Sequence, residues 1–581
     1  MPAMAEEPSP RRWWLAVAGV VAGALVLRLW GTGWGLPFAY NLDERSHFLP
    51  RAVAMLRDHS LDPDYQLNPS GLIEFLAGIL LVAHGGAGAA VRAFERDPGQ
   101  VWLIARVASA LVSAGAVWLL YVAGKRLFDR WVGLVAAAIL ATAFLPVHYG
   151  HLALNDAPSL APTALGLIGI AGIVGGGRLR HYAVAGAALG LAVGLKYNAA
   201  FMGLPLLTAG ILHGLGRGVE PGPRAVRAAV LGLLAAGAAA SVAFLALDPY
   251  ALLRPGFFLD ELQHLSDYTK GSLLLGETQR SGYRYYAWSL VWGLGVVPLV
   301  LAVIGGVRSI ARHRVQALLL IPAPLLFFAY VGAQGRYFAR YGMPVYPLLA
   351  LLAGAGAVWL ARLAAPRLRA RGRLAAALAA LGLLAVCGQG LAFTIHNDVV
   401  LSRKDTRSAA REWMVDNIPA GTLIAVEPLV PKEWYADGAR LADPGSQRGY
   451  RWRRFVRTGD DARRLAKRFP GARRPADFAN YGYTLFPGML DFLRRRGVCW
   501  IVSGSGQSGR VFNDPDRVPA AVRYYRALAR QADLRYRVVP FAGPDAEHYF
   551  QYDLSVTFLP LRFDRPGPAM RVYRLRDCRP E

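Results

Sequence analysis

Hydrophobic and polar positions along this chain fall into long blocks rather than a short alternation. The apolar runs are long enough for a helix to cross a hydrocarbon core of roughly 30 Å. They predict an all-α polytopic transmembrane bundle over residues 1–395. The runs lie at about 13–33, 72–91, 101–123, 131–148, 158–175, 182–195, 199–215, 226–247, 286–306, 315–333, 341–363 and 373–394.

The run at 72–91 decides the predicted orientation. If it lies on the outer surface, nearly every short basic loop, such as 125–130 and 308–314, falls on the cytoplasmic side, as the positive-inside bias requires. If it crosses, those loops flip outward. We therefore predict about eleven spans in the inner (cytoplasmic) membrane, a cytoplasmic N-terminus and an extracytoplasmic C-terminus. The first run also has the build of a signal peptide, but its length and the spans that follow favour an uncleaved anchor.

Residues 396–581 change to a mixed polar sequence without a further span. Asp405 to Asn417 has an amphipathic helical pattern, and Thr422 to Val426 then has a strand pattern. We predict a soluble, extracytoplasmic α/β domain here. Its further predicted elements are a helix at 489–496 and strands at 498–502 and 569–575.

Composition agrees with a membrane protein. Hydrophobic residues make up 54% of the 581 positions and charged residues only 18%, which excludes an ordinary soluble protein. The net charge of +26 invites a nucleic-acid interpretation, but much of the Lys and Arg sits in short loops and no recognition motif accompanies it, so we expect no nucleic-acid partner. Cys499 and Cys578 either form a disulfide or remain free thiols. The three cysteines of the chain are too far apart in sequence to suggest a metal site.

An acidic pair, Asp43-Glu44, follows the first run by about ten residues. A carboxylate at the membrane surface can take a proton from an attacking hydroxyl. The alternative is a solvated loop pair that caps the helix predicted at 44–57.

A second acidic motif, Asn155-Asp156, opens the run at 158–175. Asp156 is placed to face Asp43 across a cavity, and it also suits a helix N-cap before Pro158. His148 and His151 precede it, so a divalent metal held by His148, His151 and Asp156 is a further hypothesis.

Cations gather on the same predicted side. Lys196 interrupts two apolar stretches, Arg336 and Arg340 lie in a tight outer turn, and Arg106 begins a run. Positive-inside statistics disfavour such residues outside, which indicates a bound anion such as phosphate; snorkelling of Lys196 is the alternative. Acids and bases together suit an enzyme that takes a phosphorylated lipid from the membrane and moves its head group to an acceptor.

These residues resemble the GT-C fold glycosyltransferases, within them the protein O-mannosyltransferase and aminoarabinose transferase branch (glycosyltransferase family 39-like). The resemblance covers about residues 13–394. It is carried by Asp43-Glu44, Arg106-Val107-Ala108-Ser109-Ala110, Leu154-Asn155-Asp156-Ala157-Pro158, Gly190-Leu191-Ala192-Val193-Gly194-Leu195-Lys196-Tyr197 and Arg340-Tyr341-Gly342-Met343-Pro344.

The resemblance implies an inverting transfer from a polyprenyl-phosphate sugar to a lipid, glycan or protein acceptor, with Asp43 as general base. It implies that Glu44 and Asp156 shape the acceptor or a metal site. Relatives differ in metal dependence, so it names no certain cofactor. It implies that the cations Arg106, Lys196, Arg336 and Arg340 are candidates for the lipid phosphate. The further candidate substrate-binding residues are Asn155, Tyr197 and Tyr341.

The chain departs from the family at Asn68-Pro69-Ser70-Gly71, where relatives often carry His-Pro-Pro or Lys-Pro-Pro. Two other classes stay open: a transporter or flippase of a lipid-linked saccharide, and a non-catalytic envelope assembly subunit. A one-sided pocket lined by Asp43 favours the enzyme, a path through the membrane favours transport, and an Asp43 without a cavity favours the subunit.

Overall fold

The structure is a computed structural model. It describes residues 10–271, 274–277, 281–368, 372–436, 451–454, 481–550 and 560–580. Helices make up the part before residue 402. They are α1 (Pro10–Leu29), α2 (Leu42–His47), α3 (Leu49–Asp58), α4 (Gly71–His84), α5 (Ala87–Arg96), α6 (Pro98–Leu127), α7 (Arg130–Thr142), α8 (Phe144–Gly150), α9 (Leu160–Gly176), α10 (Leu179–Leu195), α11 (Gly203–Gly214), α12 (Pro223–Leu247), α13 (Tyr250–Leu253), α14 (Pro255–Lys270), α15 (Gly282–Gly293), α16 (Val296–Arg312), α17 (Arg314–Leu320), α18 (Pro322–Gly332), α19 (Tyr346–Leu368) and α20 (Gly372–Leu401), with 3-10 turns at Tyr197–Met202 and Ala339–Val345.

Several of these helices are long and apolar enough to cross a membrane. Within the described residues there are five such helices, and up to eight if each of three bent pairs is one span. Three shorter apolar helices, at Trp13–Leu29, Leu160–Gly176 and Leu179–Leu195, lie beside them. The all-helical membrane bundle is thus found, and the count of about eleven spans stays a prediction.

Three of the predicted runs bend. The run at 286–306, predicted as one span, is two helices, α15 and α16, at 109° to each other. The bend lies at Leu294-Gly295, where Gly295 has φ of +111°, a conformation that other residues rarely adopt. The run at 131–148 bends by 58° between α7 and α8, and the run at 72–91 bends by 91° between α4 and α5. Apolar length alone does not reveal such breaks.

Helices α10 and α12 pack closely through small residues. A Cβ added at Gly186 or Gly190 would lie 2.1 Å from the carbonyl oxygen of Ala236 or Ala240, respectively. Such close backbone approach is typical of helices in membranes, where small residues allow tight packing. The outward face of α12 is apolar and exposed, as lipid contact requires, with Val226, Val230, Leu231, Leu234 and Val242.

A five-stranded sheet forms the centre of the C-terminal unit. The strands are β1 (Leu423–Val426), β2 (Arg453–Arg454), β3 (Trp500–Gly504), β4 (Ala532–Val538) and β5 (Met570–Leu575), in the order β2-β1-β3-β5-β4. Strands β2, β1 and β3 are parallel, and β5 is antiparallel to both β3 and β4. The helices beside them are α21 (Thr406–Asn417), α22 (Met489–Arg495), α23 (Ser505–Asn513) and α24 (Pro519–Gln531).

Sequence patterns located most of this unit. The predicted helix after Asp405 is α21, with Asp405 as its N-cap, and the predicted strand at 422–426 is β1. The strand predicted at 498–502 begins two residues later, at Trp500. Strand β4 was not predicted, although its sequence, Ala-Asp-Leu-Arg-Tyr-Arg-Val, alternates apolar and polar residues as a half-buried strand does.

The C-terminal unit packs directly on the bundle. The indole of Trp34 donates to Asp405 Oδ2 at 3.1 Å, and the hydroxyls of Tyr40 and Ser408 lie 2.9 Å apart. The guanidinium of Arg407 lies 3.9 Å from the ring centre of Tyr40. One hydrophobic core therefore runs from the helices into the sheet.

Cys499 and Cys578 are joined by a disulfide, while Cys387 is free and buried. The bond ties the C-terminal end of the chain to the residue that precedes β3. Disulfides persist in oxidising compartments, so this bond agrees with the predicted extracytoplasmic placement of the unit. The placement itself stays a prediction.

Thiol labelling checks this bond. We expect the denatured, unreduced full-length protein to react with one equivalent of maleimide-polyethylene glycol, at Cys387, and the reduced protein to react with three, since the chain has three cysteines. The Cys578→Ser variant serves as the control and should take up two equivalents without reduction. Three equivalents on the unreduced wild-type protein would contradict the disulfide.

Candidate active site

A cavity of about 430 Å³ lies between loops of the bundle and the C-terminal unit. Six of the predicted site residues line its bundle wall, together with His148. The six are Asp43, Asn155, Asp156, Lys196, Arg340 and Tyr341. The structure thus brings together residues that lie almost 300 positions apart in the chain.

Asp43 is placed by the cap of α2. The side chain of Asn41 accepts hydrogen bonds from the backbone N–H groups of Asp43 and Glu44, both at 3.1 Å. The Asp43 side chain is 31% exposed, and its Oδ2 lies 2.6 Å from Nη1 of Arg340. Its Oδ1 lies 3.9 Å from Nε2 of His47.

The charge around Asp43 keeps it ionised. Burial raises the pKa of the Asp43 carboxyl, but the positive charges of Arg340, His47 and Lys196 together lower it more. The pKa therefore lies below its ordinary value. A carboxylate that faces a cavity in its charged form can accept a proton from a bound hydroxyl.

Asp156 and Lys196 form a second ion pair in the cavity wall. Both residues are buried, and the ammonium of Lys196 donates to Oδ1 of Asp156. Lys196 follows the end of α10 in an extended conformation and also lies 5.5 Å from the ring centre of Tyr341. Asn155 donates to the carbonyl oxygen of Leu195 at 2.6 Å, which fixes the backbone just before the lysine.

Glu44 and Arg106 pair with each other outside the cavity lining. Both side chains are 0% exposed, and Nε and Nη2 of Arg106 donate to the two oxygens of Glu44, each at 2.8 Å. Nη1 of Arg106 donates to the carbonyl oxygens of Thr32 and Trp34 at 2.6 and 2.7 Å, and Glu44 accepts from the N–H of Ala153 at 2.9 Å. This pair holds segments together and does not face a substrate.

Two other predicted site residues also lie outside the lining. The guanidinium of Arg336 lies 4.1 Å from the ring centre of Tyr268, and it is Tyr268 that lines the cavity. The hydroxyl of Tyr197 donates to the carbonyl oxygen of Gln66 at 3.0 Å. Their backbone positions were close to the site, but their side chains point to other partners.

The two histidines turn toward α20 and not toward Asp156. His148 Nδ1 lies 3.0 Å from Oδ1 of Asn397, and His151 Nε2 lies 3.1 Å from Oδ1 of Asp398. Across the described residues, no group of three or more His, Cys, Asp or Glu side chains is arranged to hold a metal ion. The hypothesis of a metal at His148, His151 and Asp156 has no support in this geometry.

Sequence reasoning missed several residues of the site. Arg45 lines the cavity beside Asp43, and Arg407 and Arg510 line it from the C-terminal unit. Arg45 directly follows the Asp43-Glu44 pair, so its position in the sequence could have marked it as a site residue. Nothing local in the sequence marks Arg407 or Arg510, because only the packing of the C-terminal unit on the bundle brings them here.

Part of the chain is similar to a known protein family. Residues 99–236 match the family model described as dolichyl-phosphate-mannose-protein mannosyltransferase. The predicted resemblance to GT-C glycosyltransferases is confirmed. The matched segment contains Arg106, Asn155, Asp156, Lys196 and Tyr197, whereas Asp43 and Arg340 lie outside it. A comparison with curated proteins finds no match.

Solved structures of two kinds are similar to this chain. ArnT from Cupriavidus metallidurans in the apo state is 15% identical, over 97% of this chain and 98% of that one, with a TM-score of 0.49. The same protein bound to undecaprenyl phosphate is 14% identical over the same shares, with a TM-score of 0.47. The apo oligosaccharyltransferase of Archaeoglobus fulgidus is 14% identical, over 89% of this chain and 73% of that one, with a TM-score of 0.48.

Replacing one member of the buried pair tests its structural role. Glu44→Gln keeps the shape of the side chain but leaves the Arg106 charge unpaired, so we expect a loss of roughly 3–5 kcal/mol in stability. Thermal unfolding of the purified protein in detergent measures this as a lowered midpoint.

The matched control is Glu412→Gln, which breaks the Lys404–Glu412 pair at 2.7 Å, where both side chains are more than half exposed. That change should cost less than about 1 kcal/mol. Equal shifts in the two variants would show that the Glu44–Arg106 pair does not organise the bundle.

Proposed function

We propose that this protein is a membrane glycosyltransferase that moves a sugar from a polyprenyl-phosphate donor to an acceptor outside the membrane. The observation that carries the proposal is a cavity in which an ionised carboxylate, Asp43, lies beside the cations Arg340 and Lys196. The matched family is described by its dolichyl-phosphate-mannose donor, which agrees with this class of substrate.

Lys196 and Arg340 suit the phosphate of the donor. Charge-assisted hydrogen bonds to phosphate are strong, and an arginine offers several donors to it. In the present structure each cation is met by a carboxylate, Asp156 and Asp43 respectively. A bound phosphate draws Arg340 away from Asp43, which raises the basicity of Asp43 when the donor is in place.

The reaction is a single displacement at the anomeric carbon. An acceptor hydroxyl attacks that carbon while Asp43 takes its proton, and the bond between the carbon and the phosphate oxygen breaks. The electron pair leaves with the polyprenyl phosphate, whose charge Lys196 and Arg340 stabilise. Attack from the face opposite the leaving group inverts the configuration.

The proposed roles of some predicted residues change with this geometry. Glu44 and Arg106 become positioning residues, because both are fully buried and paired with each other. Asp156 balances the charge of Lys196 and orients it. Arg336 and Tyr197 act, if at all, through Tyr268 and Gln66, the residues they contact.

We propose that residues 396–581 form an extracytoplasmic domain that covers the acceptor side of the cavity, above a transmembrane domain at 1–395. Its Arg407, Arg510 and Phe550 line the wall opposite the bundle, and the disulfide supports an oxidising compartment. The cavity behind Asp43 supports an enzyme over a non-catalytic subunit. The charges gather at one end of the helices, which supports an enzyme over a transporter.

Removing the proposed base tests the reaction. Asp43→Asn should lower the turnover of sugar transfer by about 10²–10⁴-fold, the usual contribution of a general base, while the protein still folds. Transfer from radiolabelled polyprenyl-phosphate sugars in proteoliposomes measures it. Asp64→Asn changes an exposed acid between α3 and α4 that pairs with Arg254 at 3.2 Å; it is the control and should transfer normally. Near-normal turnover of Asp43→Asn would exclude Asp43 as the base.

The pH dependence tests the pairing of Asp43 with Arg340. Because Arg340 lowers the pKa of Asp43, the base stays ionised until the pH falls below the ordinary aspartate range, and activity is lost only there. Arg340→Gln removes the largest opposing charge, so burial then dominates and the acid limb of kcat/KM should move to higher pH.

The control for this experiment is Arg254→Gln, which removes an exposed cation that pairs with Asp62 at 2.7 Å. Its acid limb should coincide with that of the wild-type protein. An acid limb that stays in place in Arg340→Gln would show that another group sets the lower pH limit.

A further inference from the structure

His148 presents a buried nitrogen that the protein itself does not use. The residue lines the cavity and is 3% exposed. Its Nδ1 lies 3.0 Å from Oδ1 of Asn397. Its Nε2 is buried and has no hydrogen-bond partner among the residues that the structure describes. Buried polar atoms in folded proteins are nearly always paired, so an unpaired one beside a cavity indicates a ligand.

The neighbouring side chains decide which nitrogen of His148 carries the proton. The amide nitrogen of Asn397 donates to Oδ1 of Asp398 at 3.3 Å, because a carboxylate only accepts. The amide oxygen of Asn397 therefore faces Nδ1 of His148. Like a carboxylate, this oxygen can only accept a hydrogen bond. Nδ1 must be the donor, and Nε2 of the neutral ring is then a hydrogen-bond acceptor.

The surroundings hold the ring in this state. Asn397 and Asp398 are 1% and 0% exposed, and His151 fixes Asp398 from the other side at 3.1 Å. Phe144 stacks on the His148 ring with centres 5.6 Å apart. Because the ring is almost fully buried, its charged form would be costly. Asp398, Asn397 and His148 thus form a fixed chain that ends in an unpaired acceptor on a residue of the cavity wall.

His151 shows what a purely structural histidine looks like in this place. It lies three residues further on, and both of its nitrogens have partners: Nδ1 lies 3.3 Å from the carbonyl oxygen of His148, and Nε2 lies 2.8 Å from that of Trp30. It does not line the cavity. The two histidines of the motif therefore have different tasks.

We propose that Nε2 of His148 accepts a hydrogen bond from a hydroxyl or amino group of the saccharide bound in the cavity. The inference rests on the proposed function and deepens it, since it names His148 as a specificity-determining residue. A site built to pair with a substrate hydroxyl discriminates strongly against a ligand that lacks it, because its own polar atom is otherwise left unpaired.

Lipid binding tests the proposal without relying on turnover. The full-length protein in nanodiscs is titrated with bare undecaprenyl phosphate and with undecaprenyl phosphate that carries each of a panel of hexoses and pentoses. We expect the wild-type protein to bind one glycosylated lipid about tenfold more tightly than the bare lipid. His148→Phe should lose this tenfold preference and keep the affinity for the bare lipid, since it removes the acceptor atom that pairs with the sugar and leaves the phosphate contacts in place.

Two further variants guard against a simple loss of folding. His148→Gln supplies a carbonyl oxygen near the position of Nε2 and should restore part of the preference. Asn397→Asp places a carboxylate at Nδ1, which favours the charged ring and turns Nε2 into a donor. This variant should keep the preference for a sugar hydroxyl, which can also accept, and lose the preference for a protonated amino group, which cannot. Thermal unfolding of each variant without lipid confirms that it is folded.

The outcomes separate the donor from the acceptor. A lost preference in the lipid titration assigns the hydroxyl to the donor sugar. An unchanged preference with a raised KM for the acceptor in the transfer assay assigns it to the acceptor. If folded His148→Phe changes neither, or if the wild-type protein prefers no glycosylated lipid, the inference is overturned while lipid binding and transfer still support the proposed function. A wild-type protein that binds no polyprenyl phosphate at all overturns the proposed function and this inference with it.

Discussion

The buried ion pair of Glu44 and Arg106 is the contact on which the arrangement of the cavity depends. It joins the turn after α1, helix α2, helix α6 and the backbone at Ala153. A charge left unpaired at 0% exposure is costly, so the stability of the folded protein depends on these four segments being together. Their assembly turns the preceding residue, Asp43, toward the cavity and sets Asn155 two positions beyond the fixed backbone.

Charge balance in the cavity follows from that frame. Asp43 meets Arg340, and Asp156 meets Lys196, so each acid of the bundle wall has a cation beside it. Additional positive residues, including Arg45 and others on the C-terminal unit, line the same space. The wall as a whole is therefore positive, with one carboxylate left partly exposed, which suits a pair of ligands, one with a phosphate and the other with a hydroxyl to be deprotonated.

The C-terminal unit contributes the same edge of its sheet that carries ligands in other α/β folds. Strands β1 and β3 are parallel neighbours, and the residues just beyond their carboxyl ends, Pro428-Leu429 and Ser505-Gly506, line the cavity. Contacts such as that of Trp34 with Asp405 hold this edge over the bundle. The site is consequently built from two architectures, a membrane bundle below and an open sheet edge above.

The sequence alone determined the features that depend on local pattern. Apolar length predicted the candidate membrane helices, the amphipathic pattern after Asp405 predicted α21, and several ionisable residues near the run ends proved to line one cavity. Only the tertiary structure decided that Asp43 faces the cavity while Glu44 is buried, that α15 and α16 bend at Gly295, and that His148 pairs with Asn397 and does not turn toward Asp156. The reason is physical: a helix or strand follows from neighbours a few residues apart, whereas the partner of a charge or an imidazole is chosen by helix packing across hundreds of residues, for which no local period exists.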